Sequence, residues 1–180
     1  MKANLILIIS AVVIFASCSK TDDLSHVNLA AQNEAAARQS SPFTGSIDYV
    51  RNDSLTVDCD CGPYGRAIFD GGGEISHMGT STSRSQVCYA PIFSGQTVIG
   101  FHVASQCLSI VAANGDILNF NVPPYDVMLN AQGIGTGTAQ AIIAGGTGRF
   151  TSATGSISAD LIDNVPLGTA SISFNGMINY

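Results

Sequence analysis

Residues 107–122 read CLSIVAANGDILNFNV, two alternating apolar runs flanking Asn114-Gly115. A strand shows the same face at every second residue. Leu108, Ile110 and Ala112 therefore share a side before the turn, and Leu118, Phe120 and Val122 share one after it. Asn-Gly suits a two-residue type I′ hairpin, which needs positive φ at both central positions. Pro123-Pro124 then removes two amide donors and stops further pairing at that point. A chain built around this unit is committed to antiparallel sheet.

The same period recurs along the chain. FTGSIDYV sets Ile47 with Tyr49, and QTVIGFHV groups Ile99, Phe101 and Val103. GSISADL groups Ile157, Ala159 and Leu161, and TASISFNGMI groups Ala170, Ile172 and Phe174. No window after Phe43 carries a helical period. Only 11% of residues are charged, glycine occurs 19 times and tryptophan is absent, a composition of strands and tight turns. The expected fold is all-β, an antiparallel closed barrel of about eight strands over residues 43–180, because closure removes edges that few charges protect. A domain of this length buries somewhat over roughly 60% of its unfolded surface. Most apolar runs fall short of the roughly 9–11 residues of a membrane-spanning strand, and aromatic girdles are missing, so the barrel is expected not to cross a bilayer.

The N-terminus, MKANLILIISAVVIFASCSKTDD, has one lysine before an apolar run from Leu5 to Ala16. That run suits a signal-peptide core and is too short for a membrane-spanning helix of about 20 residues. It ends in FASC, which resembles a bacterial lipobox. The resemblance implies a signal peptide over residues 1–17, lipidation of Cys18 and attachment to the cell envelope, with the outer membrane the expected site. The following SKTDD resembles the short acidic signal that sends some Bacteroidetes-type lipoproteins to the cell surface. Acyl chains, at roughly 0.8 kcal/mol per buried methylene, would hold the chain stably on a membrane. Residues 18–42 read as a tether with a short helix near Asn28–Gln39, marginal on its own.

Without residues 1–17, six basic residues face thirteen acidic ones, a net charge of −7. No basic cluster offers the positive footprint that nucleic acid requires. The stretch IIAGGTGRFTSATGSISAD raises the question of a phosphate-binding loop. A dinucleotide fingerprint starting at Gly146 would need glycine where Thr151 stands, and no Gly-Lys-Ser/Thr follows. Both motifs also need a helix next, whereas alternation follows here. Gly145, Gly146 and Gly148 are thus read with Asn114 and Gly115 as structural turn residues, and no cofactor is expected.

SHMG (Ser76–Gly79), AANGDIL (Ala112–Leu118) and GGTGRFTSATG (Gly145–Gly155) occur in that order. Together they resemble a widespread group of uncharacterised bacterial secreted proteins, over roughly residues 76–175. The last motif is also similar to the glycine-rich hairpin of allene oxide cyclases and plant dirigent proteins. The resemblance implies an eight-stranded barrel with a central apolar cavity. It transfers no active-site residue, and fold likeness alone carries no activity.

Besides Cys18, four cysteines remain: Cys59, Cys61, Cys88 and Cys107. An even count in an exported chain favours disulfides. Cys59 and Cys61 are too close for an unstrained mutual bridge, so one pairs with Cys88 and the other with Cys107. A bridge to Cys107 closes about 46 residues and contributes roughly 4 kcal/mol in the chain-entropy picture. A four-thiolate zinc site lacks the usual paired knuckles, and no metal is expected. Tyr49, Glu74, His77, Tyr89 and His102 are the polar groups able to line a cavity. No nucleophile elbow is present. The expectation is an envelope lipoprotein whose barrel binds a small apolar ligand or a protein partner without catalysis, with homo-oligomers conceivable. The rival expectations are an isomerase or cyclase resembling allene oxide cyclase, and a purely structural role.

Overall fold

The structure is a computed structural model that describes residues 40–55 and 59–180. Cys18, the signal segment and most of the tether lie outside the described residues. Nine strands follow in order: β1 (Ser40–Arg51), β2 (Gly65–Ile75), β3 (Gly79–Ser94), β4 (Thr97–Val111), β5 (Ile117–Val122), β6 (Tyr125–Leu129), β7 (Ile134–Gly146), β8 (Thr154–Asn164) and β9 (Thr169–Asn179). All neighbours are antiparallel, and pairing of β1 with β9 and of β3 with β4 closes the ring.

Nine strands fill eight positions because β5 and β6 are two halves of one stave. Against β4 they keep a single register, from Val111↔Ile117 through Gln106↔Val122 to Val103↔Tyr125 and Gly100↔Met128. Pro123-Pro124 occupies the break: the prolines interrupt the ladder without turning the chain. The closed antiparallel barrel is therefore the fold. Among the described residues the helical content is one 3₁₀ turn, Gly148–Phe150.

Two local expectations are corrected. The hairpin between β4 and β5 is not type I′. Gly115 N–H donates to Ala112 O at 2.9 Å and Ala112 N–H to Asp116 O at 2.8 Å. Gly115 has φ +88° while Asn114 stays outside the positive-φ region, giving a three-residue loop with a left-handed glycine last. Asn114 acts through its side chain instead: Oδ1 accepts from Asp116 N–H at 3.1 Å and Nδ2 donates to the Asp116 carboxylate at 2.9 Å. The strands are also longer than the apolar runs suggested, 11 to 16 residues in β1–β4 and β7–β9. Length therefore does not separate this barrel from membrane-spanning ones, but orientation does. Ile143, Ile157 and Phe174 point inward, while Thr136, Gln140, Asp160 and Asn175 are exposed on the outer wall. A bilayer barrel needs an outward apolar band.

The two ends differ. At one end lie the β2–β3, β4–β5 and β7–β8 connections, and Met78 and Phe150 are buried as a plug. Beneath it Phe43 meets Phe120 and Phe174 at centroid distances of 6.2 and 6.3 Å. Each such ring contributes roughly 1.5–3 kcal/mol by leaving water. The three sequence motifs converge on this end. Ala113 N–H donates to Met78 O at 3.1 Å, Thr147 N–H to Ile117 O at 2.9 Å, and the Arg149 guanidinium to His77 O. Gly148 has φ +54°, and a Cβ there would overlap the Asp116 carboxylate. That carboxylate also accepts from Arg149 N–H at 3.4 Å. An acid packed on the glycine loop repels phosphate, so the cluster is a corner of the fold.

Candidate functional site

At the opposite end, where β1–β2, β3–β4, β6–β7 and β8–β9 connect, the barrel opens into a funnel. Its wall is apolar and aromatic, with Phe69, Val87, Tyr89, Phe101, Val127 and Ile172 among the lining residues. The cavity volume is about 90 Å³, and the funnel encloses about 780 Å³ of atom-free space once its open mouth is counted. The smaller figure describes the enclosed space and lies below the roughly 300 Å³ of drug-sized sites. The barrel therefore engulfs one end of a ligand at most, with the remainder in the mouth.

Small residues hollow out this half. One row of inward positions runs across the sheet as Gly135, Asp163, Ala170, Tyr49, Gly71 and Ser83. The Tyr49 ring lies across Gly71, where an added Cβ would sit 2.8 Å from Tyr49 Cδ1. That passage lets the Tyr49 hydroxyl donate to Ser83 Oγ at 2.8 Å, and Ser83 donates onward to Ser109 O at 2.9 Å. A second chain crosses the floor: Tyr125 hydroxyl to Gln106 Oε1 at 3.0 Å, and Gln106 Nε2 to Ser85 Oγ at 2.7 Å. Burial pushes the Tyr49 phenol up to about 12, opposed by the Ser83 hydrogen bond. Tyr125 is raised by burial and then by the nearby Asp163 and Tyr49 charges. Asp163 is itself raised, because desolvation outweighs the attraction of Arg51. Arg51 is tied to Asp53, with Nε to Oδ2 at 2.7 Å.

Of the candidate cavity residues, the funnel holds Tyr49 and Tyr89. Glu74, His77 and His102 are corrected: all three are exposed. Glu74 is on the outer face of β2, where it accepts from Thr80 Oγ1. His77 is not in a strand but at a left-handed turn position, φ +65°. Its Nε2 lies 2.9 Å from Pro42 O, which can only accept, so Nδ1 is left to accept from the Tyr180 hydroxyl at 3.0 Å. His102 faces out between Phe101 and Val103, paired with Asp126 at 2.7 Å. A bulge decides the parity of β4. Cys88 pairs with Ser105 but Tyr89 with Val103, so Ala104 is an extra residue. Gln106, Leu108 and Ile110 face in on one side of it, and Phe101 and Val103 on the other.

Arg51, Gln106 and Asp163 also line the funnel, one step of the same period beyond the apolar residues. Each extends an alternating set already in view: Ile47 and Tyr49, Leu108 and Ile110, Ala159 and Leu161. Tyr125 had no such signal, since Pro123-Pro124 resets the phase before it.

The cysteines pair as Cys59–Cys107 and Cys61–Cys88, with Cα separations of 6.4 and 5.1 Å. Both bridges lie on the outer wall and pin the β1–β2 connection there. They bury Ile68 and Gln86 outside the barrel, with Gln86 Nε2 donating to Cys59 O at 2.6 Å. Among the described residues, no cluster of three or more His, Cys, Asp or Glu could hold a metal ion. Comparison of the chain with protein-family models, curated proteins and solved structures finds no match.

Proposed function

We propose that the chain is an envelope lipoprotein, anchored through Cys18, whose barrel is a non-catalytic receptor for one end of a small, largely apolar molecule. The carrying observation is the asymmetry of the interior. One end is plugged by Met78 and Phe150, and the other is an aromatic and aliphatic funnel with a few hydrogen-bonded polar groups on its floor. Binding sites are built this way, as concave apolar walls with a small number of placed polar groups. The non-catalytic part draws support from the histidines. A cyclase-like reaction of the kind the sequence resemblance suggests calls for an acid–base pair in the cavity, and His77 and His102 both stand outside it.

The test is titration of the purified chain with N-phenyl-1-naphthylamine, an uncharged dye whose emission rises in apolar surroundings. Saturable enhancement is expected, and Ala170→Phe, which fills the funnel between Tyr49 and Asp163, should abolish it with the fold intact by circular dichroism. Equal enhancement in wild type and variant would overturn the reading. Anchoring is tested separately: labelled palmitate should enter the wild-type chain in a lipoprotein-processing bacterium and not the Cys18→Ala variant.

A further inference from the structure

Asp163 stands out in the funnel. It is flanked in the sheet by Gly135, over which Val127 and Leu129 pack, and by Ala170, whose small side chain leaves room beside the carboxylate. Among the described residues no ion pair or side-chain hydrogen bond reaches it. Arg51, the cation of the same funnel, is committed to Asp53. The floor is also one-sided in its chemistry. Two of the three phenol protons in the funnel are used, Tyr49 on Ser83 and Tyr125 on Gln106, so these two hydroxyls can only accept from a ligand. The funnel thus offers acceptors, an unneutralised carboxylate and aromatic faces, with Phe69, Tyr89, Phe101 and Tyr125 in the wall.

We infer that the funnel is selective for an organic cation: an alkylammonium whose charged head sits against Asp163 over Ala170, with its apolar body along the wall. This deepens the binding role proposed above and rests on it. An ammonium donates every proton it has and accepts none, which complements the Asp163 carboxylate and the hydroxyls of Tyr49 and Tyr125, whose own protons are already used. Desolvated next to aromatic rings it gains cation–π attraction, and the net charge of −6 draws cations towards the molecule. A carboxylate of the same length meets the opposite situation. Among the described residues the one cation of the funnel, Arg51, is already charge-paired with Asp53, and Asp163 repels the incoming carboxylate. An inorganic cation would leave the apolar wall unused.

The experiment is calorimetric titration of the full chain with hexylammonium, hexanol and hexanoate, ligands of one length and three head groups. Hexylammonium should bind at least tenfold more tightly than hexanol, with hexanoate weakest. In Asp163→Asn that preference should fall to threefold or less while the hexanol affinity stays the same. In Ala170→Leu, which fills the room beside Asp163 and leaves the carboxylate in place, hexylammonium should lose most of its affinity. Thermal melts confirm that each variant folds. Hexanol or hexanoate binding as tightly as hexylammonium overturns the charge selectivity and leaves the apolar receptor standing, as does a preference that survives Asp163→Asn. Binding of none of the three removes the receptor reading and this inference with it.

Discussion

Removing the Cys59–Cys107 bridge tests how the outer connection is held. The two bridges are nested, since Cys61–Cys88 spans 27 residues inside the 48 spanned by Cys59–Cys107. In the chain-entropy picture a loop of 48 residues contributes about 4 kcal/mol and one of 27 about 3.5 kcal/mol when each acts alone. With the inner bridge intact, the outer one closes only the part it does not share, 48 less 27 or about 21 residues, and its contribution falls to about 3.3 kcal/mol. Together they supply about 7 kcal/mol, a large share of the 5–15 kcal/mol typical of a folded domain. Cys107 is exposed, so Cys59→Ala/Cys107→Ala sacrifices little packing and isolates the loop term. The assay is urea unfolding with and without the outer pair, in backgrounds that keep or lack the inner one. The outer pair should be worth more in the background that lacks the inner bridge. A loss under about 1 kcal/mol, or equal losses in both backgrounds, would refute the nested-loop reasoning.

Phe150→Ala should cost about 3–5 kcal/mol in urea unfolding, because the ring is fully buried in the plug and the turn around it cannot collapse to fill the space. Asp163→Asn should raise the melting temperature at neutral pH. A carboxyl raised in the folded state favours folding only when protonated, so the advantage of the variant should shrink as pH falls through the raised value towards the ordinary carboxylate range. Tyr49 should ionise near 12, seen as a late phase in ultraviolet titration that is missing from Tyr49→Phe. The unfolded chain loses that proton near 10, so stability of order 2–3 kcal/mol should be lost between about 10 and 12 on this group's account.

Alternation made most of the barrel legible before any coordinates. Leu108, Ile110, Leu118, Phe120, Ile157 and Phe174 are all buried as their parity requires. Parity fails where the backbone departs from a regular strand. Nothing in FHVASQC marks Ala104 as a bulge, because the residue is set by pairing to β3, a non-local choice. His77 stands two residues after the buried Ile75, in phase with it, yet the chain has already left the strand there. Asp163 and Arg51 show a different failure. Their side chains are polar and so fall outside the apolar sets, although the same period carries them into the funnel.

The divided stave has a mechanical consequence. Towards β7 the ladder lapses between Asn121↔Ile142 and Met128↔Thr136, whereas β8 and β9 are paired along their whole length. A hoop under tension parts at its weakest joint, and that joint borders the interior beside Tyr125 and Val127. Breathing there widens the cavity without unplugging the far end, so the amides of Gly137–Ala141 that face the seam should exchange with solvent well ahead of those facing β8.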